Sequence, residues 1–241
     1  MFVFLLFVNG CASLPDMRGF DFVPVSSGGF TVPMWLRVNK AGAPLKVWFE
    51  GDGFAWRTPT QPSYDPTPRG RVVLTWVRND AAENVAYVAR PCQYIDSDPC
   101  RFYYWTNGRF DPAVINAIDA AFVRAVELSG AKDVDVAGYS GGATVAALLA
   151  ARHTGTVRSL TTVAGVVDHA LWTDYFGDSP LDGSLNAAAE IKVWGVLPQK
   201  HFIGGKDKVV PEELARRWIP DPKTIVVVPG ASHGKGWPDS F

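Results

Sequence analysis

The stretch Asp133-Val134-Asp135-Val136-Ala137-Gly138-Tyr139-Ser140-Gly141-Gly142 decides the architecture. Its first five residues read as a strand, and the alanine-rich run that follows, residues 143–152, reads as a helix. Between them a serine sits in a Gly-x-Ser-x-Gly turn. So sharp a passage from strand to helix holds the serine in a strained, exposed position, and any Cβ at the flanking glycines would clash. A glycine loop built to cradle phosphate would carry a lysine directly after it, and none follows here. Ser140 is therefore a candidate nucleophile on a strand–turn–helix unit.

Working outward, residues 20–25 and 30–38 are strand-like runs joined by Ser-Ser-Gly-Gly, a hairpin signal. Residues 45–49 (LKVWF) form a more buried strand that ends in Glu50-Gly51-Asp52-Gly53. Val72, Val73, Trp76 and Val77 recur at helical spacing, and residues 84–89 form a strand stopped by Arg90-Pro91. Asp111-Pro112 opens a long helix, with Asp as N-cap and Pro at the first position, and Gly130 closes it. Further strands are expected at 159–167, 193–196, 201–203 and 224–228. Strands and helices that alternate after an antiparallel start imply a mainly parallel central sheet with helices on both faces. Chemistry in such a sheet belongs at the carboxyl ends of the strands.

Composition agrees with one α/β domain. The 241 residues are 47% hydrophobic and 20% charged, enough to bury a large core and too apolar for disorder. A net charge of -1 gives no electrostatic reason to expect nucleic acid as a partner. No metal-binding constellation or nucleotide fingerprint is apparent, so no cofactor is expected.

A serine hydroxyl needs an adjacent base to become a nucleophile. Of the four histidines, His233 lies in Pro229-Gly230-Ala231-Ser232-His233-Gly234, just beyond the apolar run 225–228. His153 and His201 read as surface or packing residues. An acid to orient the base is offered by Asp207, in Gly204-Gly205-Lys206-Asp207-Lys208-Val209-Val210-Pro211 after a strand. Asp168, after the preceding strand, is the alternative.

With these three segments the chain resembles the α/β-hydrolase superfamily, by element order over residues 20–237 and specifically at the serine turn, the glycine-rich Asp turn and Ser-His-Gly. The resemblance implies Ser140 as nucleophile, Asp207 as acid and His233 as base, in the chain order Ser, acid, His. It also implies an oxyanion hole made by the N–H of Gly141 and one from the loop after the strand at 45–49. That loop usually begins His-Gly. Here it reads Glu50-Gly51-Asp52-Gly53, which aligns Asp52 with the donor position and leaves Gly53 as the alternative. Two carboxylates beside a developing oxyanion are repulsive unless they point away or are paired. Aromatic residues at 102–105, with Trp172, Tyr175 and Phe176, either line an acyl pocket or pack in the core.

The function implied is cleavage of a carboxylic ester through an acyl-enzyme, on a small-molecule or lipid-like acyl substrate. A peptidase, thioesterase or acyltransferase on the same triad is the alternative, as is a non-catalytic envelope protein that keeps the fold.

The N-terminus points to export. Residues 2–8 (FVFLLFV) are wholly apolar but too few to span a bilayer, which takes about 20. Residues 1–10 are read as an export signal and 11–241 as a single domain. Val8-Asn9-Gly10-Cys11 resembles a bacterial lipobox, which implies a lipid anchor on Cys11 and a membrane association through it. Ala12 and Ser13 after the cysteine resemble those of outer-membrane lipoproteins, so the periplasmic face of the envelope is the expected location. Cys92 and Cys100 lie close together in a loop without histidine, which favours a disulfide formed in an oxidising compartment over metal binding or free thiols.

Overall fold

The computed structural model describes residues 14–241; residues 1–10, read as an export signal, and Cys11 lie outside the described residues. In chain order the strands and α-helices are β1 (Asp21–Phe22), β2 (Val25–Ser27), β3 (Phe30–Val32), β4 (Met34–Val38), β5 (Leu45–Phe49), β6 (Trp56–Thr58), β7 (Gln61–Pro62) and α1 (Val72–Asn79). They continue with β8 (Asn84–Val88), α2 (Pro112–Ser129), β9 (Val134–Tyr139), α3 (Gly142–Arg152), β10 (Val157–Val163) and α4 (His169–Phe176). The last are α5 (Ile191–Trp194), β11 (Gln199–Gly204), α6 (Glu212–Trp218) and β12 (Ile225–Val228).

Eight strands form one sheet in the order β1-β4-β8-β5-β9-β10-β11-β12. From β8 to β12 all neighbours are parallel, while β4 runs antiparallel to both β8 and β1. Alternation along the central strands feeds two cores. Val47 and Phe49 of β5, with Ala86 and Val88 of β8, pack under α2 and α3. Trp48, Val85 and Tyr87 point the other way, onto Val73, Trp76 and Val77 of α1. Helices therefore cover both faces, as expected for a sheet whose central strands are buried throughout.

Several local expectations are met. Asp111 caps α2 by accepting from the Ala113 N–H, and Gly130 ends it in the left-handed conformation at φ 66°. Cys92 and Cys100 are joined as a disulfide with their Cα atoms 5.7 Å apart.

Others are corrected. The Ser-Ser-Gly-Gly turn does join an antiparallel pair, but β2 and β3 form a small sheet of their own. Pro24 and Pro33, which lack an N–H, divide each expected strand in two, so that β1 and β4 join the main sheet instead. Residues 193–196 do not form a strand, because Ile191–Trp194 is a helical turn entered from a capping Asn186. So short an apolar run carries no period that separates strand from helix. The strand expected to reach Val167 ends at Val163, where Ala164 takes φ 48° and the chain turns. The strand expected at 201–203 extends from Gln199 to Gly204, with His201 within it.

Candidate active site

Ser140 stands where β9 meets α3, in the left-handed conformation at φ 51° that costs a non-glycine residue strain. The flanking glycines are obligatory. A Cβ on Gly138 would lie 2.2 Å from the Gly142 carbonyl, and one on Gly142 would lie 2.3 Å from the Phe49 carbonyl. The strained turn is tied down by its backbone: the Ser140 N–H donates to Val163 O at 3.0 Å, and the Ser140 carbonyl accepts from the Ala143 and Val166 N–H groups.

His233 and Asp207 come from the turns after β12 and β11. His233 Nε2 lies 3.0 Å from Ser140 Oγ, and His233 Nδ1 lies 2.9 Å from Asp207 Oδ2. The other Asp207 oxygen accepts from the N–H groups of Val209 (2.8 Å) and Val210 (3.0 Å), and the side chain is 0% exposed. A carboxylate held this way can only accept at Oδ2, so the histidine carries its proton on Nδ1 and presents a lone pair at Nε2 to the serine O–H. The His233 carbonyl is anchored by the hydroxyl of Tyr139 at 2.9 Å and the indole N–H of Trp237 at 3.0 Å. Asp168 serves a different purpose. Its Oδ1 accepts from the Leu171 N–H and from Asn186 Nδ2, capping α4.

The loop after β5 packs against the serine turn so closely that a Cβ on Gly141 would lie 2.1 Å from Asp52 Oδ1. The N–H groups of Asp52 and Gly141 donate to no group among the described residues. The two carboxylates of this loop are handled in opposite ways. Asp52 is bridged by Arg90 Nη1 at 3.2 Å and Arg109 Nη1 at 2.8 Å. Burial pushes its carboxyl up, but the Arg109 and Arg90 guanidiniums outweigh that and hold it below its ordinary pKa. Glu50, 4% exposed, forms no ion pair among the described residues. It accepts from the Tyr87 hydroxyl at 2.7 Å and the Gly51 N–H at 2.8 Å, and burial pushes its carboxyl up to about 7 against the pull of those two bonds.

Two cavities meet at Ser140, and Asp52, Gly53 and His233 line both. One, of about 250 Å³, runs past Glu50, Arg69, Val72 and Tyr139. The other, of about 260 Å³, is walled by Trp56, Phe110, His169, Trp172, Leu181 and Val209. Of the aromatic residues singled out in sequence, Trp172 alone lines either cavity. Trp105 is buried in the core, and Tyr175 and Phe176 are exposed.

This element order, with a serine turn after β9 and its partners after β11 and β12, matches solved structures along nearly the whole chain. An alpha-beta serine hydrolase homologue from Coxiella burnetii aligns with a TM-score of 0.60 at 17% identity, over 92% of both chains. The fold is that of the α/β-hydrolases. Est1E from Butyrivibrio proteoclasticus shares this α/β-hydrolase fold with a TM-score of 0.63 at 15% identity, covering 88% of this chain and 90% of that one. The esterase Pf2001 from Pyrococcus furiosus shares it with a TM-score of 0.58 at 14% identity, covering 89% and 84%. No family model and no curated protein sequence matches the chain.

Within this α/β-hydrolase fold, the structure brings Ser140, His233, Asp207, Asp52 and Gly141 together. Sequence reasoning did not find Arg90, Arg109, Gln93 or His169. The first three lie between 38 and 57 residues from the loop they support, or reach it through a backbone carbonyl, and no local pattern announces such pairs. Only the unpaired look of Glu50-Gly51-Asp52 hinted that a cation had to be supplied from elsewhere.

Proposed function

We propose that the protein is a serine hydrolase that cleaves carboxylic esters through an acyl-enzyme. The observation that carries this is the aligned chain from Asp207 through His233 to Ser140, with contacts of 2.9 and 3.0 Å. His233 takes the Ser140 proton as Oγ attacks the ester carbonyl, and returns it to the leaving alcohol. Asp207 keeps the imidazole in the working tautomer and stabilises the imidazolium that forms. The N–H groups of Asp52 and Gly141, unspent on other partners, receive the oxyanion, assisted by the positive end of α3. Water then repeats the sequence on the acyl-enzyme.

The two cavities of about 250 and 260 Å³ that meet at Ser140 offer one space for the acyl group and one for the alcohol. Their size favours compact substrates. A panel of matched esters, thioesters and peptide amides of small acyl groups tests the proposal. Ester turnover well above the others is expected, and turnover confined to amides or thioesters would contradict it.

We further propose that the enzyme works outside the cytoplasm, anchored by lipid on Cys11 at the periplasmic face of the outer membrane. The Cys92–Cys100 disulfide supports an oxidising compartment. The intact mass of protein extracted from envelopes should show loss of residues 1–10 and a lipid adduct at Cys11. An unmodified Met1 would contradict this.

A further inference from the structure

The oxyanion-binding loop carries its donor on a peptide that nothing in the loop itself holds in place. The structure assigns that task to Gln93, which we infer to be a positioning residue that aims the Asp52 N–H into the active site. Gln93 is 1% exposed and spends both ends of its amide. Its Nε2 donates to the Gly51 carbonyl at 3.0 Å, and its Oε1 accepts the Arg90 N–H at 3.0 Å. The Gly51 carbonyl and the Asp52 N–H belong to one peptide unit. In a trans peptide the two point in opposite directions, so a grip on the carbonyl fixes the direction of the N–H. Gln93 therefore turns the Asp52 N–H away from itself, and Asp52 lines both cavities that meet at Ser140. The adjoining peptide is held as well, because the Gly51 N–H donates to Glu50 Oε1.

Gln93 can do this because its own turn is rigid. Cys92 and Tyr94 on either side of it take left-handed conformations, at φ 69° and 62°. The first is tied to Cys100 by the disulfide, and the N–H of the second donates to Thr67 Oγ1 at 2.7 Å. The Gln93 N–H also closes onto the Arg90 carbonyl at 3.2 Å, and Arg90 in turn holds the Asp52 carboxylate. One disulfide-closed turn thus grips the oxyanion loop at two points: the 51–52 peptide through Gln93 and the Asp52 side chain through Arg90. Without the grip the peptide is free to rotate and bring a carbonyl oxygen toward the developing negative charge.

This inference rests on the ester hydrolysis proposed above, and two variants test it. Gln93→Met keeps the length of the side chain and loses the donor; Gln93→Glu keeps the acceptor for the Arg90 N–H and loses the donor to Gly51. A single oxyanion donor is worth about 10²–10³ in kcat, so misaiming one should lower kcat by about 10- to 100-fold. KM for a small ester should stay within about 2-fold, since the interaction is made only in the transition state. Affinity for a boronic acid, which forms a tetrahedral anionic adduct on the serine, should fall by the same factor as kcat. A folded variant with unchanged kcat and boronate affinity would overturn the inference while leaving wild-type ester turnover intact. If neither variant folds, reduction of Cys92–Cys100 in the wild-type protein supplies the same pair of readouts, and unchanged values after reduction overturn it equally. Absence of ester turnover in the wild-type protein would overturn the proposal at Ser140 and this inference with it.

Discussion

The two halves of the proposed active site are built on different principles. Ser140, Asp207 and His233 each sit in a short turn directly after a parallel strand, and each turn carries its own signature of glycines around the functional residue. The proposed oxyanion loop, Glu50 to Gly53, is also a turn after a strand, but it is held from outside by Arg90, Gln93 and Arg109. The triad half is a set of local solutions assembled by the order of strands in the sheet. The oxyanion half is a buried polar network whose members hold one another. Damage to the first should therefore abolish chemistry and spare the fold, whereas damage to the second should cost both.

The largest effect belongs to the proposed nucleophile. Ser140→Ala should lower ester turnover by several orders of magnitude while the thermal transition stays in place. Near-normal turnover in a steady-state assay would break the contrast at once. Next come the two carboxylates that the sequence could not separate fully. Asp207→Asn leaves His233 without its acceptor and should reduce kcat by up to about 10⁴-fold with little change in KM. Asp168→Asn should leave kcat nearly unchanged and cost at most about 1 kcal/mol through the α4 cap. A dead Asp168 variant beside an active Asp207 variant would reverse the assignment of the acid.

On the oxyanion side, Asp52→Leu would leave the Arg90 and Arg109 guanidiniums facing each other without a counter-charge. Their side chains are only 7% and 10% exposed, so unfolding by urea should show a loss of roughly 3 kcal/mol or more. A variant as stable as the wild type would mean that the network does not hold the fold.

The smallest effect sharpens the comparison within the loop itself. Glu50 faces Tyr87, Tyr94 and Tyr139 along with Arg90 and Asp52, and burial pushes it up to about 7. Above that pH it becomes a carboxylate near the oxyanion, so the rate should decline as pH rises past about 7, and Glu50→Gln should remove the decline. Stability follows the same proton. The folded state holds it more tightly than the unfolded chain, so the Glu50 contribution is present below the ordinary carboxylate value of 4.5 and is lost as pH rises to about 7. His201 acts in the opposite sense. Burial pushes it down to about 4, so its contribution grows as pH rises from about 4 to 6.5. Urea midpoints of wild type and Glu50→Gln at pH 5 and 7.5 isolate the first contribution. Equal differences at both pH values would show that Glu50 does not titrate in this range.

What could be read in the sequence follows the same division. The serine turn, the α2 cap, the central strands and the turns that carry Asp207 and His233 were legible, because each depends on residues within a few positions of one another. The small hairpin sheet was misplaced because Pro24 and Pro33 break ladders whose partners are far away in sequence. The α5 turn was misread because Ile191 to Trp194 is shorter than any period. The sequence posed the problem of Glu50 and Asp52 but could not answer it. Arg90 sits 38 residues from Asp52, and Arg109 sits 57 away. The Gln93 amide bonds only main-chain groups, the Gly51 carbonyl and the Arg90 N–H, which have no identity in a sequence at all.

The most direct test of the central claim is the site of attack. The wild-type protein is treated with a fluorophosphonate ester, digested, and the modified peptide located by mass spectrometry. A single adduct on Ser140, absent from the Ser140→Ala variant, is the predicted result. No adduct at neutral pH, or an adduct on any residue other than Ser140, would contradict the account.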